Sequence, residues 1–172
     1  AFGGPCFPRD NVAFATLARE LGVSADLAVA TDVVNRRQPE RLLELALQFL
    51  PDGGRVAVLG LSYKPATAVV DESAGVGLAR ALVDRGIATT VHDPLGADNA
   101  RRVLGDTVEY AAAVDAAVAG ADVAVVTTAW PDYADLTADH LSGCAAVIDC
   151  WGVLDGAIGE KVIVVRPGAN RP

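Results

Sequence analysis

From residue 55 onward, short and almost wholly apolar runs alternate with helix-like segments. RVAVLGL (55–61) is followed by ESAGVGLARALVDRG (72–86), and IATTVHDP (87–94), DVAVVTT (122–128), AAVIDC (145–150) and KVIVVR (161–166) come later. A strand that is apolar at successive positions belongs to a sheet covered on both faces. Strands that alternate with helices build a parallel α/β layer. The pattern predicts a doubly wound, mostly parallel, Rossmann-like sheet over 51–172. Further helices are expected near 97–104, near 111–119 and at ADHLSG (138–143), with a short strand at TVEY (107–110).

The first fifty residues have a different rhythm, and PDGG (51–54) marks the boundary. Pro8 suits a first helical turn, Asp10 places negative charge near that helix's positive end, and Gly22 ends it. A second helix is expected after Ser24 as N-cap. Pro39 then either kinks a long helix or opens a third. Leu42, Leu43, Leu45, Leu47, Phe49 and Leu50 are apolar almost all round, which predicts burial against more than one surface. Such an arm is a natural oligomer interface.

At 172 residues the chain fits one domain plus an additional helical element, not two full domains. The net charge is -8, and only Lys64 and Lys161 among the 14 basic residues are lysines. That leaves no basic stripe for nucleic acid. Apolar runs are too short for a membrane span and no signal-like segment opens the chain, so a soluble, cytoplasmic protein is expected. Three cysteines without CxxC spacing and two distant histidines argue against a disulfide framework and against a zinc site.

In an open parallel sheet, ligands bind beyond the carboxyl ends of the strands. The loops LSYKPATAVVDES (61–73), HDPLGADN (92–99), TTAWPDYADLT (127–137) and DCWGVLDG (149–156) are therefore the candidate site. The first contains no GxGxxG, only Gly60, so the usual dinucleotide cradle is missing there. Lys64 reads either as a solvated surface lysine or as a point charge for a phosphate or sugar hydroxyl. A polar side chain of His92-Asp93-Pro94 could touch a ribose, but Asp-Pro is a common turn starter and the turn is the favoured reading. Trp130 and Trp151 could each stack on a base or simply pack. Cys6 stands just before a helix start, where unpaired N–H groups favour a thiolate; Gly3 and Gly4 permit close approach and Arg9 adds a cation. A lone cysteine is more often an inert apolar residue, so both readings stay open.

FGGPCFPRD (2–10) resembles the GFGGSCFPKD segment of the UDP-glucose/GDP-mannose dehydrogenase family, and VAVLGLSYKPAT (56–67) resembles its later GLAFKPNT motif. HDP, TTAW and the strand ending in VIDC follow in the family's order. The resemblance implies a nucleotide-sugar 6-dehydrogenase that converts a substrate such as UDP-glucose to a uronic acid in two NAD-dependent steps. It implies Cys6 as the nucleophile that forms a thiohemiacetal and then a thioester, and Asp10 as its assistant in water and proton handling. Phe2, Gly3, Tyr63 and Lys64 would hold the nucleotide sugar, and Arg9 would lie near NAD. The chain would be a C-terminal fragment of a divergent member. It would comprise part of the helical dimerisation region (1–50), used in a homodimer, and the UDP-binding domain (51–172), with NAD held mainly upstream. Two positions depart from the pattern: Asp71 replaces the arginine of DDxRES, and DCWG (149–152) replaces DGRN. They motivate an alternative, a non-catalytic homologue that serves as a binding or assembly module.

Overall fold

The computed structural model describes residues 1–168. Three helices come first: α1 (Phe7–Glu20), α2 (Asp26–Arg36) and α3 (Gln38–Leu47). An alternating α/β region follows, with β1 (Arg55–Leu59), α4 (Ala74–Asp84), β2 (Ala88–His92), α5 (Ala97–Leu104) and β3 (Glu109–Tyr110). It is completed by α6 (Val114–Val118), β4 (Val123–Val126), β5 (Ala146–Asp149) and β6 (Ile163–Val165). Short 3₁₀ turns lie at Pro131–Asp135 and Gly156–Glu160.

The six strands form one sheet in the order β3-β2-β1-β4-β5-β6, and every pairing is parallel. Winding therefore runs outward in both directions from a switch between β1 and β4. Side chains alternate across the central strands as the two-residue period requires. Val56, Val58, Val123 and Val125 face a core built with Leu43 and Ala46 of α3 and Leu78 and Leu82 of α4. Ala57, Leu59, Ala124 and Val126 face the other core, with Ala117, Tyr133, Leu141 and Ile158. Burial on both faces is the reason these strands read as continuous apolar runs.

Several local expectations change. ADHLSG is a series of turns rather than a helix. Thr137 and His140 satisfy each other there, with Thr137 N–H donating to His140 Nδ1 at 3.1 Å, and Gly143 follows before a turn can propagate. The second helix is capped by Ala25, without a side-chain bond, and not by Ser24. Pro39 lies in the first turn of a separate helix, α3, where its missing N–H costs nothing. Within α3, Leu43 and Ala46 are buried, whereas Leu47 is exposed. The helix near 111–119 shortens to α6, and TVEY contributes two residues to the edge strand β3.

The first two helices bury little. Only Pro8 and Ala18 of α1 and Ala28 of α2 are buried, while Phe14, Leu17 and Leu27 stand 60%, 53% and 85% exposed. No helix among the described residues is long and apolar enough to cross a membrane.

Candidate functional site

The crevice above the β1–β4 switch is filled by the protein itself. Gly60 has a φ of +107°, and a Cβ there would lie 2.5 Å from the Thr128 Cβ. A Cβ on Gly75 would lie 1.9 Å from the Gly60 carbonyl oxygen. These glycines are needed for close packing of strand against helix. Thr127 Oγ1 donates to the Gly60 carbonyl, and Thr128 Oγ1 donates to that of Ser62 at 2.6 Å.

Asp93 locks the same region. Its buried carboxylate accepts from the backbone N–H of Leu61 and Ser62, the Ser62 hydroxyl, the N–H of Leu95 and Gly96, and Trp130 Nε1. Burial alone would raise its pKa, but the N–H groups of Ser62, Gly96, Leu95 and Leu61 outweigh that and hold it below the usual carboxylate value. His92-Asp93-Pro94 is thus a turn whose acid ties three loops together. Trp130 is 6% exposed and belongs to this packing. Beside it, Tyr133 Oη donates to the His92 carbonyl at 3.0 Å and lies 3.3 Å from His92 Nδ1. Burial raises the phenol's pKa and lowers the imidazole's.

The open space lies to one side, beyond the ends of β1, β4 and β5. A cavity of about 290 Å³ is bounded there by Phe2, Gly3, Arg41, Tyr63, Thr127, Cys150 and Trp151, among others. Among the described residues no carboxylate lines it, and Arg41 supplies a cation. Cys150 is half-buried on its wall, where burial and then the Asp149 carboxylate push its thiol up to about 12. Trp151 stands 53% exposed.

One wall of this cavity is the start of the chain. Phe2 is gripped by Asn35 of α2, and the Gly4 N–H donates to the Asp71 carbonyl at 2.8 Å. The segment lies so close that a Cβ on Gly3 would be 2.4 Å from the Glu72 carbonyl oxygen. A Cβ on Gly4, where φ is +87°, would be 2.7 Å from the Tyr63 ring. The double glycine therefore seats Phe2 and Gly3 against Tyr63.

Other sequence-predicted site residues lie apart from this cavity. Lys64 is exposed, its Nζ 5.5 Å from the centre of the Tyr63 ring. Cys6 is the exposed N-cap of α1 and makes no side-chain cap bond. Arg9 and Asp10, both exposed, pair with each other at 2.9 Å. Arg9 borders a groove of about 440 Å³ together with Arg36, Asp32, Asp71 and Glu72. Arg36 is itself paired with Asp32 at 2.8 Å. With its cations already matched and further carboxylates beside them, this groove does not fit the pyrophosphate of NAD, and the closed turn over β1 offers no glycine cradle. Among the described residues no cluster of three or more His, Cys, Asp or Glu side chains is placed to hold a metal.

Reading the sequence alone missed Arg41 and the reach of Asp93. Arg41 carries no local signal, because its relation to the cavity depends on how α3 packs. Asp93 is visible as a turn residue through its local Leu95 and Gly96 donors, but its other donors come from segments 31 to 37 residues away.

Comparison with known proteins agrees with this architecture. Residues 57–156 match the model of the UDP-glucose/GDP-mannose dehydrogenase family, UDP binding domain. The chain is 41% identical over 136 residues to UDP-glucose 6-dehydrogenase AglM of Haloferax volcanii, an alignment covering 78% of this chain and 31% of that protein. It superposes with a TM-score of 0.80 on a UDP-glucose dehydrogenase from Pyrobaculum islandicum, at 36% identity, covering 96% of this chain and 37% of the other. A GDP-mannose dehydrogenase from Pseudomonas aeruginosa also gives 0.80, at 25% identity, covering 95% and 39%. The chain thus spans about a third of the length of these relatives. Matched through its sheet and the loops that bound the cavity, the chain belongs to the UDP-glucose/GDP-mannose dehydrogenase family.

Proposed function

We propose that this chain is the nucleotide-sugar-binding part of a cytoplasmic NAD-dependent 6-dehydrogenase acting on UDP-glucose or a related sugar. The observation that carries this reading is the cavity walled by Phe2, Gly3 and Tyr63, which contains a guanidinium and, among the described residues, no carboxylate, in a protein of net charge -8. Such a site favours an anion attached to a ring.

In this reading Cys6 adds through Sγ to the C6 aldehyde, whose oxygen takes up a proton to give a thiohemiacetal. Loss of a hydride and a proton from the thiohemiacetal, with the hydride acceptor supplied by the rest of the complete enzyme, would give the thioester; water would then attack the acyl carbon, Asp10 would accept the water's proton, and the thiol would be released with the carboxylate. NAD, the hydride acceptor of the complete enzyme, finds no cradle in the residues described here, and no step of this chain's own chemistry is assigned to it. Isolated, the chain binds but does not turn over.

Calorimetry with UDP, UDP-glucose and GDP-mannose tests the binding reading. Saturable binding of at least one is expected, and no heat at millimolar ligand overturns it. In the complete protein, Cys6→Ser abolishes acid formation if the chemistry is right. Unchanged acid formation removes Cys6 from the mechanism.

A second reading, a non-catalytic binding or assembly module, draws on the placement of Cys6 outside the cavity and on Asp71 in the family's arginine position. It is favoured if the complete protein binds nucleotide sugar but forms no acid. In either reading the exposed apolar face of α1 and α2 pairs with a second copy of the chain. Light scattering should report a dimer that Leu27→Glu disrupts; a monomeric wild type rules out this pairing.

A further inference from the structure

The two tryptophans that follow strand ends are used in opposite ways. Trp130 is consumed by the core and by its bond to Asp93. Trp151 is fixed without being covered. Its Nε1 donates to the Thr127 carbonyl at 2.8 Å, at the end of β4. Its backbone N–H, with those of Gly152, Val153 and Leu154, donates to the Asp149 carboxylate at the end of β5. The indole is thus anchored at its edge and at its backbone while 53% of the residue remains exposed. Among the described residues no aromatic ring stacks on either face.

A rigid, open indole on a cavity wall has already lost the rotamer freedom that a ligand would otherwise have to remove, so it is preorganised for a flat partner. The same cavity holds Arg41, and among the described residues Arg41 forms no ion pair and no carboxylate lines the cavity. A planar ring joined to a multiply charged anion satisfies both features. At about 290 Å³ the space is small, suited to a base and its ribose more than to a whole nucleotide sugar.

We infer that Trp151 is the stacking platform for the base of the bound nucleotide, with Arg41 facing its diphosphate. This assignment rests on the nucleotide-sugar reading and specifies where the base goes. Trp151 then sets affinity through a π face, a contact tolerant of base identity.

The test is a titration of tryptophan fluorescence and of binding heat with UDP, UDP-glucose and inorganic pyrophosphate. It uses the wild-type chain, Trp151→Ala, Trp151→Phe and Arg41→Ala. UDP and UDP-glucose should quench the wild type and leave Trp151→Ala, which retains only buried Trp130, unquenched. Affinity for UDP should fall about tenfold or more in Trp151→Ala and much less in Trp151→Phe. Pyrophosphate should not quench, and its binding should weaken only in Arg41→Ala. If the wild type binds UDP without quenching, if pyrophosphate quenches equally, or if Trp151→Ala binds UDP as well as the wild type, the platform assignment is wrong while the nucleotide reading stands. If the wild type binds neither nucleotide, both fall. Should Trp151→Ala fail to fold by circular dichroism, the wild-type quenching and Trp151→Phe decide.

Discussion

Asn35 holds Phe2 by both of its backbone polar groups. The Phe2 N–H donates to Asn35 Oδ1, and Asn35 Nδ2 donates to the Phe2 carbonyl, each at 2.8 Å. The amide thereby acts as one rung of a strand pairing and attaches a cavity wall to α2. Asn35→Ala removes both bonds and should cost about 1–2 kcal/mol in urea unfolding. Amide exchange at Gly3 and Gly4 should accelerate while the slowest amides of β1 and β4 follow only the global change. Unaltered exchange at these glycines would mean that Asn35 does not hold the wall.

Asp93 is a hub rather than a partner in one bond. Asp93→Asn keeps the shape but replaces one accepting oxygen with an NH2 group facing N–H donors, so at least one buried donor loses its acceptor. A loss of about 3 kcal/mol or more is expected in denaturant unfolding. A loss below about 1 kcal/mol would show that the loops hold without it.

The buried imidazole of His92 makes stability depend on pH near neutrality. Burial lowers its pKa from 6.5, against the opposing pull of the Asp93, Asp132 and Asp115 carboxylates. The unfolded chain takes up this proton first, so stability falls as pH drops below about 6.5, by at most about 1.4 kcal/mol per pH unit for one group. Asp93 adds a second loss starting below about 3.8, because its carboxyl is held down in the fold. His92→Gln should flatten the first slope and leave the second. Urea midpoints across this range check both.

The three thiols differ in access. Cys6 is exposed, Cys144 is buried with its pKa pushed up to about 11 by burial and then Asp122, and Cys150 is pushed up to about 12. Iodoacetamide at pH 8 should label Cys6 first, with the other two reacting at rates closer to those of unfolding. Mass spectrometry of early digests reads the order directly.

Ala66 carries a φ of +58° just after Pro65, a left-handed conformation that L side chains resist. Ala66→Gly or Ala66→Asn should therefore stabilise the chain, by up to about 1 kcal/mol, as a raised thermal midpoint.

The sheet was legible because its strands are buried on both faces, which leaves a signal in every residue of VAVL (56–59) and VAVV (123–126). The turns at ADHLSG were misread because six residues look alike in a helix and in successive turns until Gly143 and the Thr137–His140 bonds decide. The site was only half legible. Gly3 and Gly4 announce close backbone approach, yet nothing local tells Trp130 from Trp151. Their difference lies in which loop each meets, and Arg41 reaches the cavity only through the docking of α3.

The glycine contacts between residues 3–4 and the Tyr63 and Glu72 region also constrain inheritance. The N-terminal segment and the α/β layer meet here at van der Waals limits, Gly3 against the Glu72 carbonyl and Gly4 against the Tyr63 ring. A chimera joining the helices of one relative to the sheet of another would need these few main-chain positions to coincide. Gly77 of α4 against Pro39 of α3, where a Cβ would lie 2.9 Å from the Pro39 Cγ, sets a second such limit on the same seam.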